Sequence, residues 1–455
     1  MKRGHLSRLS GQEVILLAIL LVGIPTLTTA TEPGSSTAAS NSSAPPLAGD
    51  VQDAPTQYAI ASRLLTQNSE TDYAQGLEWL SRAAKQNHAP ALFDLANLYE
   101  NGLYVQQDMA KALELYEQAA KQGYLDAQYN LGILYLKRPR NYAKAQFWLQ
   151  QAANQNDRDA QYNLALLYDV EDTDKKANPS EANRWYIKAA QAGHKDAQFD
   201  LGVRYLQGVL IPKSLTEAAS WFRRAAQQND AAAAFNLGLM YEDGHGVEKN
   251  LSEAIEWYRK AATHGEAGAQ YNLGIKYLMG EGIKQDHDKG MELIRQAAEG
   301  GNPAAQYTVG FMYDQGVDLQ KDDSLALYWY RESAAKGYTD AQFALAQMFA
   351  AGQGIPADQV EALKWFRKAA KANHAGAQYN LGTYMAHGTG TAKDLPEAAY
   401  WLSLAASQGH EHAVANRDYV LKLLTETERV ELDRRLQTAN KLANKNDEKD
   451  TALGF

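Results

Sequence analysis

The sequence predicts an all-α protein built as a solenoid of helical hairpins, and three observations carry this prediction. An alanine recurs with gaps of 36, 33 and 37 residues and then of 36 residues six times. Each copy holds a stretch with the apolar period of an α-helix, and most copies hold a glycine-containing turn. A fixed period of this size is typical of repeat architectures. The alanines are Ala91, Ala127, Ala160, Ala197, Ala233, Ala269, Ala305, Ala341, Ala377 and Ala413.

The second half of each copy is predicted to be a helix with one apolar stripe. In the copy that starts at Ala233, the stripe is formed by Ala254, Trp257, Tyr258 and Ala261, which follow the helical period. A capping side chain stands before each such helix in the regular part of the chain, often three residues before a Glu, and this pattern predicts the start of a helix. These caps are Asn250, Asp286, Asp322, Asp358 and Asp394.

The first half of each copy carries two apolar stripes, so we expect a helix packed on both flanks. In one copy these are Ala269, Leu273 and Tyr277 on one side and Tyr271, Ile275 and Leu278 on the other. Gly274 lies between the stripes, where a partner helix can approach closely. The helix should stop at Gly280-Glu-Gly282, because glycine readily adopts the left-handed conformation that ends a helix.

These units resemble Sel1-like repeats, the relatives of tetratricopeptide repeats. The resemblance rests on Ala-Gln-Tyr-Asn-Leu-Gly-x-x-Tyr-x-x-Gly-x-Gly, followed by Asp or Asn, Ala, Trp-Tyr/Phe and Lys/Arg-x-Ala-Ala. It implies a right-handed α/α superhelical solenoid of about ten helix-turn-helix repeats with a C-terminal capping helix, used as a protein-binding scaffold. As fold-level analogy, it names no partner.

The two ends of the chain differ from the repeats. Residues 1–30 are predicted to be a signal peptide, because Lys2, Arg3 and Arg8 precede a short apolar run and Ala30 ends a stretch of small residues. This predicts a periplasmic or secreted protein cleaved after Ala30. Contact with a membrane is expected only if that segment stays uncleaved as an anchor. The chain has no cysteine, so it has no disulfide.

The remaining boundaries follow from composition and pattern. Residues 31–56 are predicted to be a flexible Ser/Ala/Pro-rich linker, and residues 57–410 the repeat solenoid. Residues 411–445 are predicted to form two helices. One is a degenerate copy of the first helix of a repeat, and the other is a capping helix that runs through Leu442, with Val430 on its apolar side. Residues 446–455 are expected to be a disordered tail. Within the solenoid, the irregular turns 137–140 and 171–176 are either contact loops or drift at a surface turn.

No arrangement of residues predicts a cofactor, a metal site or catalysis. His410-Glu-His412 offers two possible ligands and lacks a third. His88, His194, His374 and His410 fall in turns between repeats, where solvated polar residues are expected. With a net charge of −9 and no basic run, the chain is not expected to bind nucleic acid.

One hydrolase-like pattern needs separate treatment. Ser333-Ala-Ala-Lys336 matches the Ser-x-x-Lys pattern of penicillin-recognising enzymes, without the companion motifs. We align Ser333 with Lys260 and Lys368 of other repeats, and the Ala-Ala pair with the pair that every repeat carries. The motif is therefore weak.

A partner would bind along the first helices, which line the inner curve in tetratricopeptide arrays. Asparagine offers both a donor and an acceptor to a peptide, and methionines suit adaptable surfaces but also fill gaps between helices. The predicted binding residues are Asn130, Asn163, Asn236, Met240, Asn272, Lys276, Met279, Met312, Asn380 and Tyr384. An adjoining aromatic row could form the groove floor or pack against the next repeat; it comprises Tyr129, Tyr162, Phe235, Tyr271 and Tyr379.

The function predicted first is that of an exported Sel1-like adaptor that binds protein in the bacterial envelope or in a host. Two alternatives stay open. One is a cell-wall or β-lactam-acting hydrolase with Ser333 as the nucleophile. The other is a passive structural spacer. The sequence leaves the identity of the protein partner and the oligomeric state open.

Overall fold

A computed structural model describes residues 51–67, 69–137, 140–171, 176–208 and 210–453. Within these ranges every regular element is an α-helix, and there are 22 of them. None of these helices is long and apolar enough to span a bilayer. The predicted signal peptide and most of the predicted linker lie outside the described residues.

The helices alternate between the first and the second helix of a repeat. In chain order they are α1 (Ala54–Leu65), α2 (Glu70–Lys85), α3 (Ala89–Asn101), α4 (Met109–Lys121), α5 (Leu125–Leu136), α6 (Tyr142–Asn154), α7 (Arg158–Asp169), α8 (Pro179–Gln191), α9 (Lys195–Gln207), α10 (Leu215–Gln227), α11 (Ala231–Asp243), α12 (Leu251–Thr263), α13 (Ala267–Met279), α14 (His287–Glu299), α15 (Pro303–Gln315), α16 (Asp323–Ala335), α17 (Thr339–Ala351), α18 (Gln359–Lys371), α19 (Ala375–His387), α20 (Leu395–Ser407), α21 (Ala413–Leu423) and α22 (Glu426–Leu453).

The described chain divides into two compact units. The N-terminal unit extends to Arg204 and also includes residues 208–212, and the C-terminal unit holds residues 205–207 and the chain from Lys213 onward. Among α1–α8 and among α10–α21, each first helix packs against the second helix of its own repeat, and each second helix packs against the first helix that follows. Each unit is therefore a stack of helical hairpins, as the repeat pattern predicts.

Helix α1 begins earlier than the sequence predicts. The predicted linker ends at Thr56, whereas the helix begins at Ala54. Asp53 caps it, because its side chain accepts a hydrogen bond of 2.9 Å from the backbone N–H of Thr56. Pro55 lies in the first turn, where its missing N–H costs no hydrogen bond.

The predicted caps of the second helices are confirmed. The side chains of Asn250, Asp286, Asp322, Asp358 and Asp394 all accept from a backbone N–H in the first turn, at 2.9–3.1 Å. Each therefore satisfies an N–H that the helix itself leaves without a partner.

Glycine has the two roles that its positions predict. Gly280 ends α13 with a φ of +68°, in the left-handed region. Gly274 lies where α14 approaches, and a Cβ built there would stand 2.8 Å from Cγ1 of Ile294 and 2.9 Å from the carbonyl oxygen of Gly290. Any side chain at Gly274 would push the two helices of the repeat apart.

A buried glutamine joins successive repeats, and we did not anticipate its role from the sequence. It follows the recurring alanine, and its Nε2 donates to the carbonyl eight residues earlier, at the end of the preceding second helix. Gln128, Gln161, Gln198, Gln270, Gln306, Gln342 and Gln378 share this contact, at 3.0–3.4 Å.

The other end of the glutamine reaches forward along the chain. Oε1 of Gln128 accepts from Gln155 at 2.8 Å, and Oε1 of Gln378 accepts from Gln408 at 2.7 Å. In each case the donor is the C-cap residue that directly follows the next second helix. These two side chains therefore satisfy a helix-end carbonyl and connect the ends of two successive second helices.

The C-terminal end differs from the prediction in two ways. Helix α22 runs to Leu453, past Leu442, and the disorder expected for residues 446–455 stays a prediction. Neither proline nor glycine occurs between Glu426 and Leu453, so nothing in the sequence stops the helix. Val430 is 62% exposed, whereas Leu432 carries the buried contact of this helix. Helix α22 starts with a capping box, since Thr425 and Glu428 exchange hydrogen bonds.

Candidate functional site

The candidate site is the face of the first helices that their own repeats leave uncovered. Most first helices bury the recurring alanine and the leucine four residues later, as Ala269 and Leu273 do in α13. The opposite side carries the predicted aromatic row (Tyr129, Tyr162, Phe235, Tyr271 and Tyr379), and the flank next to the alanine carries the predicted Asn row (Asn130, Asn163, Asn236, Asn272 and Asn380).

The aromatic row packs between repeats. Tyr162 is 8% exposed, and the other four residues of the row are half-buried. In the C-terminal unit, Tyr271 packs against a cluster that contains Ala305 and Val309 of the next first helix. This supports packing of the aromatic row against the neighbouring repeat. The exposed part of each half-buried ring still belongs to the uncovered face of the first helices.

The two rows are also hydrogen-bonded to each other from one repeat to the next. A tyrosine at the aromatic-row position of one repeat forms a hydrogen bond with a polar residue at the Asn-row position of the next repeat. The pairs are Tyr58 with Asp94 at 2.8 Å, Tyr129 with Asn163 at 3.3 Å, Tyr162 with Asp200 at 3.1 Å, Tyr271 with Thr308 at 3.5 Å and Tyr379 with Asn416 at 3.2 Å. Part of the hydrogen-bonding capacity predicted for a partner is therefore used within the stack.

Several predicted binding residues lie in the interior. Asn236 is 8% exposed, and its Nδ2 donates to the carbonyl of Ala232 at 2.8 Å. Met240 and Met312 are 4% and 6% exposed, so the packing alternative describes them and their assignment to an accessible surface is wrong. Their row faces the second helix, because it lies seven residues after the buried alanine and completes two helical turns.

Lys276 is likewise unavailable as a surface contact. It is 6% exposed, and its Nζ lies 2.6 Å from Glu242 and 2.9 Å from Glu281. The hydroxyl of Tyr258 donates to the same Glu242. A buried cation needs such partners, because burial without them is costly. Lys276 therefore joins neighbouring repeats.

The other predicted residues keep some exposure. Met279 is 67% exposed at the end of α13. Asn130, Asn163, Asn272, Asn380 and Tyr384 are half-buried, and the Tyr384 hydroxyl donates to Gln359 at 2.8 Å. Phe311, which we did not predict, is 44% exposed on α15. The contact of these residues with a partner stays a prediction.

A polar cluster that we did not predict lies at the end of the N-terminal unit. Arg204 on α9 pairs with Asp169, donates to Oδ1 of Asn183 at 2.7 Å and lies 4.2 Å from the ring centre of Tyr186. Beside it, burial raises the pKa of Asp200 to about 7, although the hydrogen bond from Tyr162 and the charge of Arg204 act in the opposite direction. The only available signal was that an acid occupies the Asn row and an arginine the Met row of this repeat.

The histidines between repeats are structural rather than solvated. Nδ1 of His194 accepts from the backbone N–H of Ala197 at 3.2 Å, and His374 does the same with Ala377 at 3.0 Å. Their rings, and that of His410, stack on the aromatic row of the preceding repeat at 4.2–4.3 Å, against Tyr162, Phe343 and Tyr379. Across the described chain, no group of three or more His, Asp, Glu or Cys side chains could hold a metal ion.

Ser333 occupies a different place in the repeat from the one we assigned. Steps of 36 residues align it with Ala261, Ala297 and Ala369, and not with the lysines one position earlier. It is fully buried, and its Oγ donates to the carbonyl of Pro303 at 2.6 Å. Nζ of Lys336 instead donates to the carbonyl of Gly301 at 2.7 Å. The two residues therefore do not form a nucleophile and its base.

We expect Ser333→Ala to change the free energy of unfolding by no more than about 1 kcal/mol, because alanine already fills this slot in other repeats. A fluorescent penicillin should label neither the wild-type chain nor the variant, as gel fluorescence would show. Labelling of the wild type that disappears in Ser333→Ala would contradict the structural role.

The two irregular turns are only partly described. Residues 138–139 of the first and residues 172–175 of the second lie outside the described ranges. Whether either turn makes a functional contact stays a prediction.

Comparison with known proteins identifies the repeats. The family model of the Sel1 repeat matches ten consecutive segments: 54–88, 89–124, 125–157, 158–194, 195–230, 231–266, 267–302, 303–338, 339–374 and 375–410. These boundaries coincide with the hairpins described above, including the 33- and 37-residue copies.

Two solved structures are similar along most of their length. The c5321 protein, a protective antigen present in uropathogenic Escherichia coli strains with an SLR fold, is 27% identical with a TM-score of 0.57, and the match covers 89% of this chain and 95% of that one. A Sel1 repeat protein from Oxalobacter formigenes is 26% identical with a TM-score of 0.55, and the match covers 82% and 99%. A comparison with curated proteins gave no match.

Sel1 repeat proteins generally mediate protein–protein interactions, and their solenoids are typically non-catalytic scaffolds. The ten matched segments, the stacked hairpins and the two similar structures agree on one assignment. The chain belongs to the Sel1 repeat family.

Proposed function

We propose that this protein is an exported adaptor, which binds a protein partner of the bacterial envelope or of a host along the uncovered face of its first helices. Residues 1–30 would direct export and be removed after Ala30, and the repeats would bind the partner. The observation that carries this proposal is a pair of large apolar side chains left exposed on that face.

Met279 and Phe311 lie on consecutive first helices of the C-terminal unit and are 67% and 44% exposed. Met279 follows the buried alanine of its repeat by ten residues, and Phe311 follows that of its own repeat by six. These two positions differ by about 40° around the helix axis, so both side chains lie on the same face. Ile275, one turn before Met279, is half-buried beside them. Exposed apolar residues on one face mark candidate interaction sites, and methionine adapts its shape to a partner.

The predicted signal peptide supports export, and so does one similar protein. The c5321 protein of Escherichia coli is described as a protective antigen. An exported chain that meets a host would be compatible with a similar property.

A photo-crosslinking amino acid placed at Met279 tests the binding face. Val360 is a matched control, because it is 52% exposed on the second helix α18. We expect a discrete crosslinked protein from cells at Met279 and none at Val360, and Phe311→Asp should reduce that crosslink. Equal products at both positions would argue against a specific face, and no product at either would favour a passive spacer.

Export has its own measurement. In fractionated cells the chain should be found outside the cytoplasm, and mass spectrometry should find Thr31 as its first residue. A cytoplasmic chain that retains residues 1–30 would disprove this half of the proposal without affecting the other.

A further inference from the structure

The uncovered face of the N-terminal unit differs from that of the C-terminal unit in charge. An exposed aspartate precedes the recurring alanine in three consecutive first helices, at Asp126, Asp159 and Asp196. The corresponding residues of α11, α13 and α15 are Ala232, Gly268 and Ala304. In the C-terminal unit only Asp340 of α17 is an aspartate at this position, so the run of three belongs to one part of the molecule.

An aliphatic side chain accompanies each of these aspartates. Ile133, Leu166 and Val203 follow Asp126, Asp159 and Asp196 by seven residues, and all three are half-buried. Seven residues are two helical turns, so each helix presents a carboxylate and an aliphatic side chain on the same side. We call these six residues the acidic face.

The helices that carry the acidic face contact one another directly. The Asn163 amide donates to the Tyr129 hydroxyl between α5 and α7, and the Tyr162 hydroxyl donates to Asp200 between α7 and α9. Adjacent packed helices lie on the order of 10 Å apart. The acidic face is therefore a continuous strip with a repeating chemistry.

The carboxylates of this strip are only partly neutralised from within. Arg158 and His194 lie 3.8 Å and 3.5 Å from Asp159, and Arg204 is held by Asp169. Within the described residues, no ion pair is formed by Asp126 or Asp196. Burial raises the pKa of Asp94, the hydrogen bond from Tyr58 lowers it, and the nearby charge of Asp126 raises it, so Asp126 lies close enough to a carboxylate of the preceding repeat to repel it. A cationic partner would relieve this repulsion.

Building on the proposed adaptor function, we propose that the acidic face binds a partner segment that carries lysine or arginine side chains separated by aliphatic ones. The cations would meet Asp126, Asp159 and Asp196, and the aliphatic side chains would cover Ile133, Leu166 and Val203. A polyproline II segment has three residues per turn and rises about 3.1 Å per residue, so cations at every third residue fall on one side about 9 Å apart, which matches the helix spacing.

A synthetic peptide of about 15 residues that repeats Arg-Leu-Ala is the probe, and its Glu-Leu-Ala counterpart is the control. Fluorescence anisotropy with the full chain should show binding of the arginine peptide that weakens by about tenfold or more on raising the salt concentration, and no binding of the glutamate peptide. Circular dichroism of each variant would confirm that the helices are retained.

The triple variant Asp126→Asn, Asp159→Asn and Asp196→Asn should weaken binding of the arginine peptide by about tenfold or more. The matched control is Asp340→Asn, since Asp340 is exposed at the same repeat position on α17 in the C-terminal unit and lies 3.8 Å from His374 as Asp159 lies near His194. That variant should bind like the wild type.

Three outcomes would overturn the inference. One is equal binding by the triple variant, and another is equal binding of the glutamate peptide. The third is self-association of the wild type that the triple variant abolishes, since this would assign the face to a second copy of the chain. Failure of the peptide alongside a crosslink at Met279 would reject the basic partner and leave the adaptor function in place.

Discussion

Replacing Gly354 by alanine is expected to destabilise the protein by about 3 kcal/mol or more, because two costs coincide there. Its φ is +67°, which costs roughly 1–2 kcal/mol for a residue with a Cβ. An added Cβ would also stand 2.6 Å from the carbonyl oxygen and 2.9 Å from the carbonyl carbon of Asp323, at the start of α16 in the preceding repeat. Both are backbone atoms, so relief requires the helices to move.

Gly337→Ala separates the two costs. Gly337 has a φ of +85°, and nothing lies within 4 Å of the Cβ that alanine would add. This control should lose only the conformational cost, about 1 kcal/mol. Urea titration followed by circular dichroism measures both variants. Equal shifts of the midpoint would show that the approach to Asp323 is not limiting.

The preceding repeat supports this distinction. Asp318 lies 36 residues before Gly354 and has a φ of +64° with a side chain present. Its carboxylate lies 3.3 Å from His287, at the start of α14. A residue with a side chain can therefore adopt the left-handed conformation where the second helix of the preceding repeat leaves room. At position 354 the backbone of Asp323 is too close, so glycine is necessary.

Replacing Asp200 by asparagine is expected to stabilise the protein at pH 8 by about 2 kcal/mol, a figure reduced from the full pKa shift because the side chain keeps some exposure. Burial raises the pKa of Asp200 to about 7, and the nearby Asp196 and Asp169 add to this against Tyr162 and Arg204. At pH 8 the folded protein therefore holds a carboxylate in an unfavourable place, which asparagine avoids while still accepting from Tyr162.

The advantage should shrink as the pH falls. A carboxyl with a raised folded pKa binds a proton in the native state before the unfolded chain does, so wild-type stability rises as the pH falls from 7 towards about 4. Urea denaturation at pH 8 and at pH 5 measures the difference between the two chains. Asp340→Asn serves as the exposed control, and a stabilisation by Asp200→Asn that is the same at both pH values would disprove the burial argument.

The helices and their ends could be predicted because they depend on neighbours in sequence. Asn250 caps a helix three residues away, and Gly280 ends one through its own backbone. The right-handed sense of the superhelix, by contrast, stays an expectation from the resemblance. Contacts between residues close in sequence could thus be predicted, and long-range geometry could not.

The predictions of which side chains are accessible were less successful, for a physical reason. A methionine such as Met312 reads equally as surface or packing, and only the position of the second helix decides between them. The role of Gln306 was hidden because its carbonyl partner, Ala298, belongs to the preceding helix. Ser333 was misplaced by one residue, and one residue rotates a helical position by about 100°.

The glutamine contacts fix the length of the turn at the seven joints that have them. Each amide reaches a carbonyl eight residues earlier, as Gln270 does with Ala262 and Gln378 with Ala370, so the turn between them cannot change in length without losing the contact. Evolution or engineering can add or excise an intact hairpin without altering these turns. A deletion of a few residues within such a turn would leave the amide and the helix-end carbonyl unpaired, so the protein's natural unit of growth is the complete module.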